Sequence, residues 1–522
     1  MQFKYVLLLT GILSPVLAAY GQYAEDALRY SQSSVFGSAR FQAMGGVNTA
    51  LGADVSSVAG NPAGLGFFRK SEWSISPALG FANTKADYLG TSTRDSKSNF
   101  NIANMGIVFA SPKAGVTGGA WRGGSFGISF SRLNNFQNQF TYQGINNQTS
   151  ITNYLVEQTD ELDITEAELQ VDEDRIGLDV PSDLRNNGLS NQVALAQLAY
   201  LGFLIDPLDD DGDGQPDPEN YYISGVGDVF RVDQRETVRT TGGHYQWNFS
   251  YGGNLNDKLY FGASLGIARL RYSSEKAFTE TVLESDFGRI NNFTLTDFYD
   301  ASGTGINGTL GVIFRPSDFV RFGVSATTPT YYRILEESNT TLNTDIRNRD
   351  LSGGVPNISL ETAPTDFNYT LITPFKASGG VAFFLGKSGF VSGDVEYIAY
   401  NDAKLGSELD ASFNSDIRNN YQPTVNVRVG GEYRQDIYRV RGGFAYFGDP
   451  YDGTNDNLDR TRLAFTGGIG VRLPSFYVDL GVVHSRYKSG YTAYPLNNRS
   501  FEPSATIKNG YTNAVVSFGT FF

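Results

Sequence analysis

The chain has no cysteine among its 522 residues, which excludes disulfides, thiolate metal centres and cysteine nucleophiles. Histidine is nearly absent too, with only His244 and His484, so an imidazole-built haem or zinc site made by this chain alone is not expected. There is no clustering of Lys and Arg, and the formal net charge is -14; nucleic acid is excluded as a partner, because phosphate backbones need a basic footprint. Beyond the amino terminus no stretch reaches the roughly 18 continuous apolar residues a spanning helix requires. Any membrane this chain occupies must be crossed by strands.

What is present is glycine and aromatic: Gly 59, Tyr 30 and Phe 37, with only 18 Pro and a mean hydropathy of -0.26. Length alone allows two or three ordinary domains or one large barrel. Barrel strands turn apolar groups to lipid on one side only, so the average stays polar while aromatics gather at the interfaces.

The first twenty residues read as a secretory signal: Lys4 gives the positive start, residues 6–13 the short apolar core and Val16-Leu17-Ala18-Ala19 a small-residue cleavage context. From Glu72 onward the chain alternates with period two, the mark of strands with unlike faces. Leu463, Phe465, Ile469 and Val471 fall opposite Arg462, Ala464, Thr466 and Arg472; Tyr438, Val440, Phe444 and Tyr446 oppose Arg439 and Arg441; Val425, Val427 and Val429 oppose Asn426, Arg428 and Glu432. Charged groups in strand after strand suit a hydrated interior behind a lipid-facing wall, whereas a sandwich would bury its apolar face against a second sheet.

About fourteen such segments are expected, an even number within the range of bacterial outer-membrane barrels. They fall at 72–85, 98–110, 123–138, 235–254, 257–272, 291–315, 318–335, 366–386, 388–400, 419–434, 437–447, 459–473, 475–488 and 510–522. Short links such as Arg315-Pro316-Ser317-Asp318, Gly386-Lys387-Ser388-Gly389 and Pro474-Ser475 exchange with long ones. That is the pattern of tight periplasmic turns on one rim and long outer loops on the other. The chain closes on Phe518, Thr520 and Phe522, an aromatic ending that looks like the assembly signal of outer-membrane barrels, and pairing the last strand with the first removes both sheet edges.

Ahead of the strands stands GSARFQAMGGVNTALGADVSSVAGNPAGLG, residues 37–66, rich in small residues and nearly uncharged, with no clean alternation. The contrast predicts a compact plug inside a strand-built body. SARFQAMGG, then NTALGADVSS, then Asn61-Pro62-Ala63-Gly64-Leu65 resembles the amino-terminal hatch of the FadL/TodX family of outer-membrane hydrophobic-solute channels, and the likeness extends more weakly over nearly the whole mature chain. It implies a plug at 21–68 and a barrel at 69–522, with Asn61, Pro62, Ala63 and Gly64 as a gating segment. A purely structural reading also fits, since Asn bonds local backbone and Pro fixes a turn.

The longest link, within 139–234, is too large for a bare loop. Its centre, QVALAQLAYLGFLI at 192–205, is apolar on nearly every face and predicts a helix capped by Ser182 or Ser190. Two readings stand: a greasy lip on which Leu195, Leu198, Leu201 and Phe203 catch a hydrophobic solute, the role the resemblance implies, or a helix that packs over the rim. Next comes DDDGDGQPDPEN. Asp209, Asp211 and Asp213 stand at the first, third and fifth positions of a calcium loop, Gln215 offers a carbonyl and Asp217 the ninth-position ligand. Asn220 replaces the expected Glu at the twelfth, with Glu219 one residue early. The segment is a calcium candidate or a solvated acidic loop; no other cofactor is expected.

Two enzyme-like matches carry no weight. Gly262-Ala263-Ser264-Leu265-Gly266 fits G-x-S-x-G but lies inside an alternating strand without a histidine partner, and Gly303-Thr304-Gly305-Ile306-Asn307-Gly308 is followed by strand, not helix. The expectation is therefore a non-enzyme: an all-β, antiparallel transmembrane barrel in a Gram-negative outer membrane, monomeric, placed by the outer-membrane assembly machinery among its lipids. It would pass hydrophobic small molecules such as fatty acids or aromatic hydrocarbons. The alternative is a surface or secretion-associated barrel whose long loops bind a partner protein.

Overall fold

The computed structural model describes residues 17–113, 120–186, 189–208, 221–348, 353–406, 411–453 and 458–522. Most of the signal segment and the whole calcium-like run, Asp209, Asp211, Asp213, Gln215, Asp217 and Asn220, lie outside the described residues.

Fourteen antiparallel strands close into one barrel. In chain order they are β1 Glu72–Tyr88, β2 Thr91–Pro112, β3 Trp121–Asn135, β4 Phe230–Leu255, β5 Leu259–Ser285, β6 Ile290–Phe314, β7 in two pieces, Val320–Thr327 and Tyr331–Ile346, β8 in two pieces, Thr365–Ile372 and Lys376–Phe384, β9 Gly389–Ala399, β10 Pro423–Gln435, β11 Tyr438–Phe447, β12 Arg462–Arg472, β13 Phe476–Thr492 and β14 Ser504–Phe521. The ring shuts where β14 pairs with β1, Phe521 opposite Glu72 and Phe518 opposite Ile75. Closure leaves no free edge at the first and last strands, as hydrocarbon demands.

The two faces are unlike, as the alternation requires. Val425, Ile469 and Leu310 are 46%, 59% and 66% exposed, while Asn426 and Glu432 on the other face are 3% and 4% exposed. Apolar side chains look outward and no second sheet covers them. Among the described residues no helix is long and apolar enough to cross a membrane.

The strands run further than lipid contact dictates. β5 reaches Ser285 instead of ending near 272, and β1 and β2 meet at a two-residue turn, Leu89-Gly90, with φ of 43° and 80°. That double positive φ belongs to the tight hairpin turn that matches strand twist. The long loop expected between β1 and β2 is thus zipped into a polar hairpin. These extensions stand clear of lipid, so they have no apolar face by which period two would mark them. The great loop also shrinks, because Asn138–Asn146 continues from β3 along β4.

Above one rim a cap fills the remainder of that loop. Helices Ile151–Leu162 and Ser190–Leu201 and the small sheet of Ile205–Pro207 with Tyr222–Ser224 share a dry core with Phe278, Phe293 and Leu342 of the strand extensions. The helix expected over 192–205 is present as Ser190–Leu201, but neither proposed serine caps it. Leu189 is the cap residue, with no side-chain bond, because Ser190 is already inside the first turn. Ser182 opens a separate short helix, Ser182–Asn186.

Candidate functional site

The inward ends of many strands converge on residues 37–68. Ser38 caps the short helix Ala39–Ala43, Asp54 caps Val55–Val58, and Asn61 caps Pro62–Phe67 with Pro62 at its first turn. Each cap satisfies orphan N–H groups, which lets a chain poor in regular structure lie buried. Met44, Val47, Ala50 and Leu51 pack on Ala382 and Phe390 of the wall, and Val55, Val58 and Leu65 on Val108.

The fit depends on glycine at close approaches. A Cβ at Gly262 would collide with the backbone of Pro62, at Gly311 with Asn61 Oδ1, at Gly323 with the Thr49 carbonyl and at Gly430 with that of Met44. Gly262 is thus a seat for the segment, and Ser264 beside it donates to the Val58 carbonyl at 3.2 Å. The G-x-S-x-G match has this structural cause.

Charge holds the other side. Arg40 Nε donates to Glu432 Oε2 at 3.0 Å, and Glu432 also accepts from Arg441 Nε and Arg434 Nε at 2.7 Å each. Arg441 Nη1 reaches Asp479 Oδ1 at 2.7 Å. Burial works against the Arg40 charge, yet the Glu432 and Asp54 carboxylates hold its pKa above the ordinary value. On another strand Asp394 Oδ2 accepts from Asn48 N, Thr49 N and Thr49 Oγ1 at 2.7, 2.9 and 2.9 Å. The inward charges expected to face water are here buried against protein: Glu432 is 4% exposed and Arg441 6%, and Asp394 is equally enclosed at 3%. The expectation of a hydrated interior is corrected at this level, because the segment occupies the space water would fill.

Asn61, Pro62, Ala63 and Gly64 are all buried. Asn61 Nδ2 donates to the Thr49 carbonyl at 2.7 Å and to the Val324 carbonyl at 3.4 Å, while its Oδ1 accepts from Ala63 N at 3.1 Å. The structure brings these four together at the wall. Leu195, Leu198, Leu201 and Phe203 do not form an open lip. Leu198 is fully buried in the cap core, Leu195 and Leu201 pack half-buried against it, and Phe203 is half-buried with a φ of 60°.

A helix the sequence reading did not foresee, Leu17–Ser31, lies on the outer side of this segment. Ala24, Ala27, Leu28 and Tyr30 pack among inward-facing rings and aliphatics that include Phe136, Tyr272, Tyr332, Tyr369 and Leu371. Tyr299 donates to Asp26 at 2.6 Å, Lys376 Nζ binds the Ser31 carbonyl at 3.0 Å, and Arg462 Nη2 binds that of Ser33 at 2.6 Å. The spacing of Ala24, Ala27 and Leu28 was the available signal, but these residues fall in the 21–68 plug segment, for which no helix was expected. The helix Ala411–Asn420 was also missed; its Phe413 and Ile417 join the same cluster.

The wall is interrupted in two places. β2 pairs with β3 only from Asn104/Ser131 to Pro112/Gly123, and the register of β3 against β4 shifts at Arg132/Asn134. Beyond that point side chains span the gap: Thr141 N donates to Asp95 Oδ2 at 2.7 Å, Lys97 Nζ to the Thr240 carbonyl at 2.8 Å, and Thr93 Oγ1 to the Thr141 carbonyl. The second interruption splits β7 at Thr328-Pro329-Thr330 and β8 at Thr373-Pro374-Phe375, where each Pro lacks the N–H a ladder needs.

Each histidine meets a hydroxyl of the wall. His244 Nε2 meets Tyr332 Oη at 2.7 Å and His484 Nδ1 meets Thr512 Oγ1 at 2.9 Å. No group of three metal-ligating side chains occurs among the described residues.

The fold is that of known outer-membrane channels. It resembles the toluene transporter TodX of Pseudomonas putida (TM-score 0.51, 14% identity, covering 94% of this chain and 99% of that one) and a Pseudomonas aeruginosa FadL homologue (TM-score 0.51, 12% identity, 94% and 99%). No protein-family model matches the sequence, and no curated protein does.

Proposed function

We propose that this chain is an outer-membrane channel for hydrophobic small molecules, held shut here by an amino-terminal plug at residues 21–68. The observation that carries the reading is the occupied lumen: a buried segment tied to the wall by Arg40 and Glu432 on one side and Thr49 and Asp394 on another. A wall built to be filled by a separable segment suits a gate better than a scaffold. The proteins that share the fold are described as a toluene transporter and a FadL homologue, which supports an apolar solute. Asn61 and Pro62 then serve as the hinge side of the plug, since Asn61 bonds the Val324 carbonyl of β7 and both residues pack closely on Gly311 of β6. The β2–β3 gap, spanned by side chains and not by ladder bonds, is the weakest part of the wall and the natural sideways exit. A chain in this role does no bond chemistry. The acidic run 209–217 would then serve the cap, by binding calcium across its repelling carboxylates.

Reconstituted in liposomes, the protein should admit a labelled fatty acid or toluene faster than protein-free vesicles do. Tight retention of an outer protein partner with no uptake above background would favour the loop-binding alternative.

A further inference from the structure

On the outward side of the split strands lies a depression of about 740 Å³. Leu265, Ile306, Tyr331, Ile372 and Phe375 line it, with Lys404 and Asp402 at its rim. Its height in the membrane follows from the strand. Val320–Thr327 has 8 residues, which rise about 26 Å along a strand and about 20 Å along the normal once tilted. Measured from the tight turn below β7, this reaches the outer part of an apolar band about 25 Å tall. The depression is therefore at acyl-chain level in the outer half of the bilayer, and what lies past it is at head-group level.

That level is cationic. Arg269 and Arg333 are both in register with Thr304 between them, so they stand about 10 Å apart across two strand spacings. Arg271 follows two residues further along β5. All three point outward and are exposed, as is Lys404. Among the described residues none of the four makes a side-chain hydrogen bond or ion pair, whereas the inward-facing Arg428 and Arg441 are paired. Asp402 lines the same depression, and Asp300, Glu337 and Asp366 form a row across three strands further out. Four free cations above an apolar hollow match an amphiphile with phosphate at its head and acyl chains below it. Guanidinium groups recognise phosphate with paired donors.

We propose that this face holds a phosphorylated, acylated lipid of the outer leaflet, its phosphates on Arg269, Arg333 and Lys404 and one acyl chain in the hollow bounded by Leu265, Ile306 and Phe375. The inference rests on the barrel spanning the membrane, not on transport through its lumen.

Native mass spectrometry of the intact protein, delipidated and then offered bisphosphorylated lipid A, phosphatidylcholine or palmitate, tests it. Folding of each variant is checked by heat-modifiable gel migration. The wild type should retain lipid A through collision energies that strip phosphatidylcholine. Arg269→Gln with Arg333→Gln should weaken that retention about tenfold or more, and Ile306→Trp, which fills the hollow, should weaken it while leaving the arginines in place. Equal retention of phosphate-bearing and phosphate-free lipids, or unchanged retention in both folded variants, overturns the proposal. Displacement of lipid A by equimolar palmitate also overturns it, since the hollow would then belong to the solute. None of these outcomes depends on whether liposomes take up solute.

Discussion

Arg40 and Glu432, 392 residues apart in sequence, share a charged hydrogen bond of 3.0 Å inside the barrel, and Glu432 holds two further guanidinium groups besides. The pair is asymmetric. Removing Arg40 leaves Glu432 with Arg434 and Arg441, whereas removing Glu432 takes away the carboxylate that all three guanidinium groups share, leaving Arg40 only Asp54 and Arg441 only Asp479. Breaking a buried pair from one side costs about 3–5 kcal/mol. Glu432→Ala should therefore destabilise the protein by an amount in that range and Arg40→Ala by less, as read from denaturant unfolding in detergent. Arg40→Ala should also raise single-channel conductance, because only the plug side is released. Equal loss of stability in the two variants would contradict this asymmetry.

Glycine at the plug seats makes a second test. Gly323→Ala drives a methyl group into the Thr49 carbonyl, while Gly379→Ala and Gly442→Ala meet open space. Overpacking a close contact costs about 1–3 kcal/mol. Limited proteolysis should cut residues 37–66 readily in Gly323→Ala and leave the two control variants as resistant as the wild type.

Period two made the wall legible: each of the fourteen segments overlaps an observed strand, because each has lipid on one side and something polar on the other, although 318–335 and 366–386 run across the breaks at Pro329 and Pro374 and 419–434 begins inside the helix Ala411–Asn420. The same signal failed past the bilayer, where Ser273 to Ser285 faces water on its outer side. It also failed inside. Glu432 and Arg441 were legible as inward charges, but not as anchors of residues 37–68, since Arg40 is hundreds of residues away and only closure of the barrel brings it to Glu432; the same distance separates Asp394 from Thr49. Asn61 and Pro62 could be singled out locally, since an Asn-Pro cap is a short-range device. Leu198 shows the reverse case: an all-round apolar helix reads equally as an exposed lip or a buried brace, and the neighbours that decide, Phe293 and Leu342, lie on other strands.

The cap has its own pH dependence. Burial raises the Asp160 carboxyl to about 6, against the pull of the Tyr222 N–H that it accepts at 2.9 Å. A carboxyl with a folded pKa above its unfolded one contributes stability fully present below the unfolded value and lost as pH rises through about 6. Hydrogen exchange at the Tyr222 amide, corrected for the intrinsic rate, should report a looser cap at pH 7.5 than at pH 5. In Asp160→Asn that difference should vanish.

Because the chain lacks cysteine, introduced thiols report without background. Cysteines at Thr93 and Thr141, across the β2–β3 gap, joined by a short reducible cross-linker, should stop uptake of toluene into liposomes, and reduction should restore it. Uptake that continues through the cross-linked wall would place the exit elsewhere.

The most direct measurement locks the plug itself. Gln42 on the plug and Asn513 on β14 share a 3.0 Å hydrogen bond, so cysteines at these two positions can be bridged reversibly without moving either segment far. Uptake of a labelled hydrophobic solute should fall to the protein-free rate on bridging and return on reduction. A bridged protein that conducts as fast as the reduced one would contradict the account, because solute would then be crossing without passing the segment that fills the lumen.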